Sequence, residues 1–149
     1  MEPVFTRINV KMTNNSEYLF VYGTLRRGGG SPLSKLLSEQ ADLVGLGAFQ
    51  GKLYDLGAYP GVIPSPNLAD AVIGEIYAIH NDSSILFTLD KYEEYLPDQP
   101  ERSLYLRRLA SISAGENKTL QAWIYLYNGS INGCKQITPG DYLHYLNSS

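Results

Sequence analysis

The stretch that decides the fold reads Leu19-Phe20-Val21-Tyr22-Gly23-Thr24-Leu25-Arg26-Arg27-Gly28-Gly29-Gly30. It opens with a short apolar run of β-forming residues, which predicts a buried strand. The run breaks at Gly23, and Ser31-Pro32 then supplies a helix N-cap and a proline suited to the first helical position. A strand, a glycine-containing turn and a helix start leave backbone N–H groups free to bind a carboxylate, a phosphate or an oxyanion. The alternative is an ordinary strand-to-helix connection.

Composition and charge exclude several classes of protein. The chain has 149 residues and a formal net charge of −3, which suits one domain without affinity for nucleic acid or an anionic membrane. Its single cysteine, Cys134, rules out an internal disulfide and argues against a cysteine-based zinc site. No apolar window approaches the length of a membrane span, and no charged-then-apolar leader begins the chain. These observations predict a soluble, cytoplasmic protein that binds no metal.

Hydrophobic periodicity and turn signals predict an α+β domain with a curved, largely antiparallel or mixed sheet. Strands are predicted over residues 18–22, 71–79, 104–112 and 120–127, with bent or bulged strands between 41 and 54. Helices are predicted over residues 32–40, 83–95 and 138–146, and a proline-fixed loop over 59–66. Residues 1–16 lack any period and are predicted to be a poorly ordered extension before a single domain over 17–149. Met12 is an alternative start, which would make residues 1–11 an upstream extension.

The helix predicted over residues 83–95 directs one glutamate inward. At 100° per residue, its apolar face consists of Ile85, Leu89, Tyr92 and Leu96. Glu93 falls about 40° from the middle of that face and Glu94 about 140° from it, so Glu94 is predicted to be solvated. Burial raises the pKa of a carboxyl group and makes it a proton acceptor near neutral pH. The alternative is a helix-end glutamate bonded to an arginine or a tyrosine hydroxyl.

The remaining motifs favour neither a nucleotide site nor a hydrolase. The glycine spacings fit no dinucleotide fingerprint, and no Gly-Lys-Ser/Thr follows the triple glycine. Cys134, His80 and His144 are far apart in sequence, and the chain has no Gly-x-Ser-x-Gly. Tyr105 and Arg107 lie two apart in a predicted strand and face the same side, either lining a cleft or belonging to a solvated sheet face.

Residues 21–28 resemble the YGTL-type signature of the γ-glutamylcyclotransferase superfamily. The resemblance continues through Gly74-Glu75-Ile76-Tyr77, Leu89-Asp90-Lys91-Tyr92-Glu93, Tyr105-Leu106-Arg107-Arg108 and Ala122-Trp123-Ile124-Tyr125. It covers roughly residues 18–127 and is closest to the γ-glutamylamine cyclotransferase and plant avirulence-induced-gene-like branch. The glutathione-degrading branch carries Ser-Asn in place of Thr24-Leu25.

The resemblance implies a small mixed β-barrel flanked by short helices and an enzyme that converts a γ-glutamyl group to 5-oxoproline, releasing an amine. It implies that Glu93 is the catalytic acid/base, although many members carry glycine where this chain has Glu94, which leaves Glu94 as a rival. The predicted substrate-binding residues are Tyr22, Gly23, Thr24, Leu25, Arg26 and Tyr105. No cofactor or metal is implied.

The predicted partner is a small γ-glutamyl compound, that is, an amine, an amino acid or an isopeptide. Contacts to the leaving amine are expected from the loops near residues 59–66 and 96–102, and the sequence leaves the amine and the oligomeric state open. The alternative function is a non-catalytic binding module that keeps the anion-binding loop. An inward glutamate favours the enzyme, because a pocket for an anionic ligand gains nothing from a second buried negative charge.

Overall fold

The computed structural model describes residues 17–148, which form eight strands, three α-helices and one 3₁₀ turn. The strands are β1 (Glu17–Val21), β2 (Ala41–Phe49), β3 (Gly51–Asp55), β4 (Pro60–Pro64), β5 (Val72–Ile79), β6 (Tyr105–Ser113), β7 (Thr119–Tyr127) and β8 (Lys135–Ile137). The helices are α1 (Ser34–Gln40), α2 (Ile85–Tyr92) and α3 (Tyr142–Asn147), and the 3₁₀ turn is Pro100–Arg102. The expectations placed on residues 1–16 lie outside the described part of the chain.

Five strands close into a barrel in the order β1-β5-β2-β6-β7. Strand β1 pairs antiparallel with β5 and parallel with β7, while the other barrel pairs are antiparallel. A separate antiparallel sheet has the order β4-β3-β8. The expected small mixed barrel flanked by short helices is therefore confirmed. No helix within residues 17–148 is long and apolar enough to cross a membrane.

Strand β1 is buried on both faces, which explains its continuous apolar sequence. Phe20 packs inside the barrel, whereas Leu19 and Val21 pack outside it in the cluster that includes α1 and α2 residues. Gly74 of β5 lies so close to β1 that a Cβ there would collide with the Val21 carbonyl oxygen. The close approach of these two strands fixes the end of β1, from which the glycine-containing turn departs.

Several predicted boundaries were wrong, and local capping explains one of them. Helix α1 begins at Ser34 rather than at residue 32, because residues 32 and 33 form a turn, in which the Ser31 hydroxyl accepts a hydrogen bond from the Leu33 N–H (3.1 Å) and the Ser31 carbonyl accepts one from the Ser34 N–H (3.2 Å). Helix α3 begins at Tyr142 rather than near residue 138, because the N-cap is Asp141, whose carboxylate accepts from the His144 N–H (3.2 Å).

The region 59–66 is not simply a loop, because β4 lies within it and pairs with β3. Proline residues begin and end this short strand, and Pro lacks the N–H that a central strand needs, so the sequence favoured a loop. Strand β8 was not predicted, since three residues give no measurable period. The bulge expected between residues 41 and 54 is present, as a register shift between Leu43 and Gly45.

Candidate active site

A cavity of about 270 Å³ opens where the turn after β1 meets the end of α2 and the starts of β4 and β6. Its lining consists of Phe20, Val21, Tyr22, Gly23, Thr24, Leu25, Tyr59, Pro60, Tyr92, Glu93, Glu94, Leu104, Tyr105 and Tyr125. The structure thus brings together Glu93 and five of the six predicted substrate-binding residues. Tyr59 and Pro60 come from one of the two loops expected to contact the leaving amine, whereas residues 96–102 do not line the cavity.

The turn after β1 presents unpaired backbone donors. The Arg26 N–H donates to the Gly23 carbonyl oxygen (3.1 Å), which closes a β-turn with Thr24 and Leu25 at its centre. The Thr24 carbonyl accepts from the Ser31 N–H (3.1 Å), which ties the turn to the approach to α1. Within residues 17–148, the N–H groups of Gly23, Thr24 and Leu25 donate to no protein acceptor. Since these residues line the cavity, their N–H groups are available to an anionic ligand.

The sixth predicted residue, Arg26, lies elsewhere. Its side chain is buried and donates to the Asp141 carboxylate (2.9 Å), with Nε 3.8 Å from Glu75. Glu75 in turn accepts from the Arg27 N–H (2.9 Å), so this cluster holds the far side of the turn. The structure therefore assigns the Arg26 side chain to a buried ion pair, and Arg26 is not among the residues that line the cavity.

Glu93 lies at the C-cap of α2, directly after the last helical residue. Its N–H still donates to the Leu89 carbonyl (2.8 Å), as in a further helical residue, so the side chain continues the inward face of the helix. Its half-buried carboxylate lines the cavity and has no hydrogen bond or ion pair with any residue in the range 17–148. Burial without a partner raises the pKa of Glu93 to about 7. Glu93 therefore exchanges protons readily near neutral pH.

Two tyrosine hydroxyls in the cavity lining are held by backbone carbonyls. Tyr22 donates to the Tyr125 carbonyl and Tyr105 to the Pro60 carbonyl, each over 2.6 Å. Burial, reinforced by the negative charge of Glu93, raises the pKa of both phenols well above the ordinary value. Both groups therefore stay protonated and contribute fixed polar walls to the cavity rather than a second base.

A buried network that the sequence did not reveal anchors the end of α2. The Asp90 carboxylate accepts from Arg107 Nε (2.7 Å) and Nη2 (3.1 Å) and from the Tyr125 hydroxyl (2.6 Å). The Arg107 guanidinium also lies 4.5 Å from the centre of the Trp123 ring. This answers the open question about the strand pair, since Tyr105 lines the cavity while Arg107 supports the helix turn that carries Glu93.

The titration of Glu93 predicts a pH-dependent stability. The folded protein keeps a proton on Glu93 up to about pH 7, whereas the unfolded chain releases it near 4.5. Between these values the folded state binds more protons, so the free energy of unfolding falls as pH rises. Glu93→Gln removes this contribution, and we expect its stability relative to the wild type to increase from about pH 5 to about pH 8. Urea unfolding of the variant and the wild type at both pH values measures the difference in their free energies of unfolding. A difference that does not change with pH would contradict the raised pKa of Glu93.

Glu94 ends α2 in a strained conformation. Its φ is +56°, in the left-handed region that favours glycine. Glu94→Gly is expected to raise the free energy of unfolding by about 0.5–1 kcal/mol, because the relief of strain exceeds the added freedom of the unfolded chain. Thermal or urea unfolding tests this. Asn117→Gly is the matched control at a second positive φ (+57°), where the gain is smaller because asparagine tolerates this region. A loss of stability in Glu94→Gly would contradict the argument.

Comparisons with known proteins agree with the resemblance seen in the sequence. The family model described as "Gamma-glutamyl cyclotransferase, AIG2-like" matches residues 19–144. The chain is 32% identical over 125 residues to the γ-glutamylcyclotransferase family protein YtfP of Escherichia coli, covering 84% of this chain and 95% of YtfP. It is 33% identical over 111 residues to the γ-L-glutamyl-butirosin B γ-glutamyl cyclotransferase of Niallia circulans, covering 74% of this chain and 66% of that protein.

The fold is similar to solved structures of the same kind. The crystal structure of an AIG2-like protein from Mus musculus superimposes with a TM-score of 0.61 at 25% identity, covering 79% of this chain and 82% of the mouse chain. The family model and the YtfP relative both match most of the chain's length. The chain therefore belongs to the γ-glutamyl cyclotransferase, AIG2-like family.

Proposed function

We propose that this protein is a γ-glutamyl cyclotransferase that converts a γ-glutamyl amine, amino acid or isopeptide to 5-oxoproline and a free amine. The observation that carries the proposal is the unpartnered carboxylate of Glu93 in a cavity that also contains unpaired backbone donors. The name of the Niallia circulans relative describes a γ-glutamyl cyclotransferase, which supports the same class of reaction here. The small volume of the cavity, about 270 Å³, suits a ligand of the size of a γ-glutamyl group.

The reaction begins with a proton transfer. The α-amine of the substrate is mostly protonated at neutral pH, and Glu93 accepts one of its protons as general base. The freed nitrogen attacks the γ-carbonyl carbon of the same molecule, forming the new C–N bond of a five-membered ring. Holding the glutamyl chain bent within the cavity supplies the proximity that ring closure requires.

Collapse of the tetrahedral intermediate completes the reaction. The negative oxygen that forms on the carbonyl, or the substrate α-carboxylate, accepts hydrogen bonds from the N–H groups of Gly23, Thr24 and Leu25. Glu93 returns its proton to the leaving nitrogen, and the original C–N bond breaks. The ring nitrogen carries two hydrogens after its attack, and Glu93 passes the second of them to the released amine, which leaves as an ammonium ion. The atoms balance without water, since one γ-glutamyl compound yields one 5-oxoproline and one amine. One carboxyl group carries out these proton transfers in turn, so we propose that no metal or cofactor takes part.

A panel of γ-glutamyl amines, amino acids and isopeptides tests this proposal by assay of 5-oxoproline, with and without a strong chelator. The proposal expects turnover of at least one class, unaffected by the chelator or by alkylation of Cys134. Within residues 17–148, no group of three His, Cys, Asp or Glu side chains is placed to hold a metal ion. Saturable binding of the panel without any 5-oxoproline would support the binding module instead. Inhibition that added zinc reverses would overturn the single-carboxylate mechanism.

A further inference from the structure

Three buried tyrosines line the cavity together with Glu93, yet none of their hydroxyls donates to its carboxylate. A phenol has one hydrogen to donate, and each of the three phenols donates it to another group over 2.6 Å. The acceptors are the Tyr125 carbonyl for Tyr22, the Pro60 carbonyl for Tyr105 and the Asp90 carboxylate for Tyr125. A phenol that donated to Glu93 instead would stabilise the ionised carboxylate and make it a weaker base.

All three phenols lie within the electrostatic reach of Glu93. Burial raises the pKa of each phenol, and the negative charge of Glu93 raises it further. A tyrosine hydroxyl near a half-buried carboxylate would ordinarily donate to it, because a hydrogen bond offsets the cost of burying the charge. The absence of such a bond among the described residues therefore calls for groups that hold the hydroxyl hydrogens elsewhere.

Asp90 is a side chain that does this, whereas the other two acceptors are backbone carbonyls. It is buried and lies three residues before Glu93 in α2. Arg107 donates to both of its oxygens (2.7 and 3.1 Å) and lies opposite Tyr125 in the β6–β7 register. An arginine side chain has donors only, so the carboxylate between Arg107 and Tyr125 accepts from both. This arrangement fixes the direction of the Tyr125 hydrogen bond.

We propose that Asp90 is a positioning residue for the general base: it binds the hydroxyl hydrogen of Tyr125 and so prevents this phenol from donating to Glu93. The inference rests on the proposed function, in which Glu93 accepts a proton from the substrate amine. A hydrogen bond from Tyr125 would lower the pKa of Glu93 by about one unit. The other titratable side chains of the cavity lining are Tyr22, Tyr59, Tyr92, Glu94 and Tyr105.

Asp90→Leu and Asp90→Asn are a matched pair of test variants. Both remove the charge at similar size, but only asparagine keeps an oxygen that accepts from Tyr125. The acid limb of the pH profile of kcat/KM reports the pKa of the general base in the free enzyme. We expect this limb to lie about one pH unit lower in Asp90→Leu than in Asp90→Asn, because the released hydroxyl then donates to Glu93.

Tyr125→Phe added to both variants should abolish this difference, because it removes the hydroxyl. A merely structural role of Asp90 would lower the rate without separating the two acid limbs. Equal acid limbs in Asp90→Leu and Asp90→Asn, or a difference that persists after Tyr125→Phe, would overturn the proposal.

A second measurement covers the case in which Asp90→Leu does not fold, since this variant leaves Arg107 without its carboxylate. Tyr125→Phe in the otherwise wild-type chain should leave the acid limb in place, because the hydroxyl does not donate to Glu93. A shift of the limb in this variant would overturn the proposal. Circular dichroism shows which variants are folded.

A ¹³C NMR titration of the Glu93 carboxyl, assigned with Glu93→Gln, measures the same shifts without turnover. It should give the same order of pKa values as the acid limbs, and equal values in Asp90→Leu and Asp90→Asn would again overturn the proposal. Failure of the proposed function looks different, because the wild type would then form no 5-oxoproline while the titration still reports on Asp90.

Discussion

Glu93→Gln is expected to lower kcat by about 10²–10⁴-fold, the usual cost of removing a positioned general base. The amide cannot accept the proton of the substrate amine or return one to the leaving nitrogen. The fold should survive, because glutamine has the same shape and Glu93 makes no side-chain bond within residues 17–148 whose loss would destabilise the protein. Steady-state assay of 5-oxoproline, together with circular dichroism of the variant, measures both expectations.

Glu94→Gln is the matched control for this experiment, because it removes the adjacent carboxylate from the same cavity lining. Glu94 is exposed and follows Glu93 in a conformation that turns away from the helix, so its loss should change kcat by less than about tenfold. If Glu94→Gln were inactive and Glu93→Gln active, the assignment of the general base would be wrong.

Thr24→Pro is expected to lower kcat/KM by about 10²–10³-fold, because the loss of one hydrogen-bond donor from an oxyanion-binding site typically has an effect of this size. The variant deletes the Thr24 N–H, which has no acceptor among the described residues, so no internal hydrogen bond is lost. Thr24 is the second residue of the turn closed between Gly23 and Arg26, a position that proline favours. Kinetics with a γ-glutamyl substrate and binding of a non-reactive γ-glutamyl analogue measure the effect.

Thr24→Ser is the control for this variant, since it keeps both the hydroxyl and the N–H and should have a mild effect. Circular dichroism and thermal melting must show that Thr24→Pro is folded. A folded Thr24→Pro variant with full turnover and undiminished binding of the analogue would show that the Thr24 N–H is not part of the anion-binding turn.

The parts of the structure that the sequence predicted depend on strong local patterns. The apolar run before Gly23 predicted the central strand because β1 is buried on both faces. The helical wheel predicted that Glu93 points inward, and Glu93 does line the cavity although α2 ends at Tyr92, because its N–H still donates to the Leu89 carbonyl as in a helix. The same wheel was wrong for Tyr92 and Leu96, each 45% exposed, since Tyr92 is the last residue of the helix and Leu96 lies beyond its end.

The parts that the sequence did not reveal depend on contacts between distant elements. Arg107 and Tyr125 lie opposite each other in the β6–β7 register, and both bind Asp90 from α2. No pattern within one segment predicts this meeting of two strands and a helix. The pairing of Arg26 with Asp141 joins residues 115 apart in sequence, which is why the arginine looked available to a ligand.

Product analysis in ¹⁸O-labelled water tests the central claim most directly. Cyclisation by the α-amine consumes no water, so we predict 5-oxoproline and free amine in equal amounts, with no ¹⁸O in the 5-oxoproline. The wild type should form both products and Glu93→Gln almost none. Release of glutamate that carries ¹⁸O in its γ-carboxylate would show that water, not the α-amine, attacks the γ-carbonyl, and would contradict the proposed reaction.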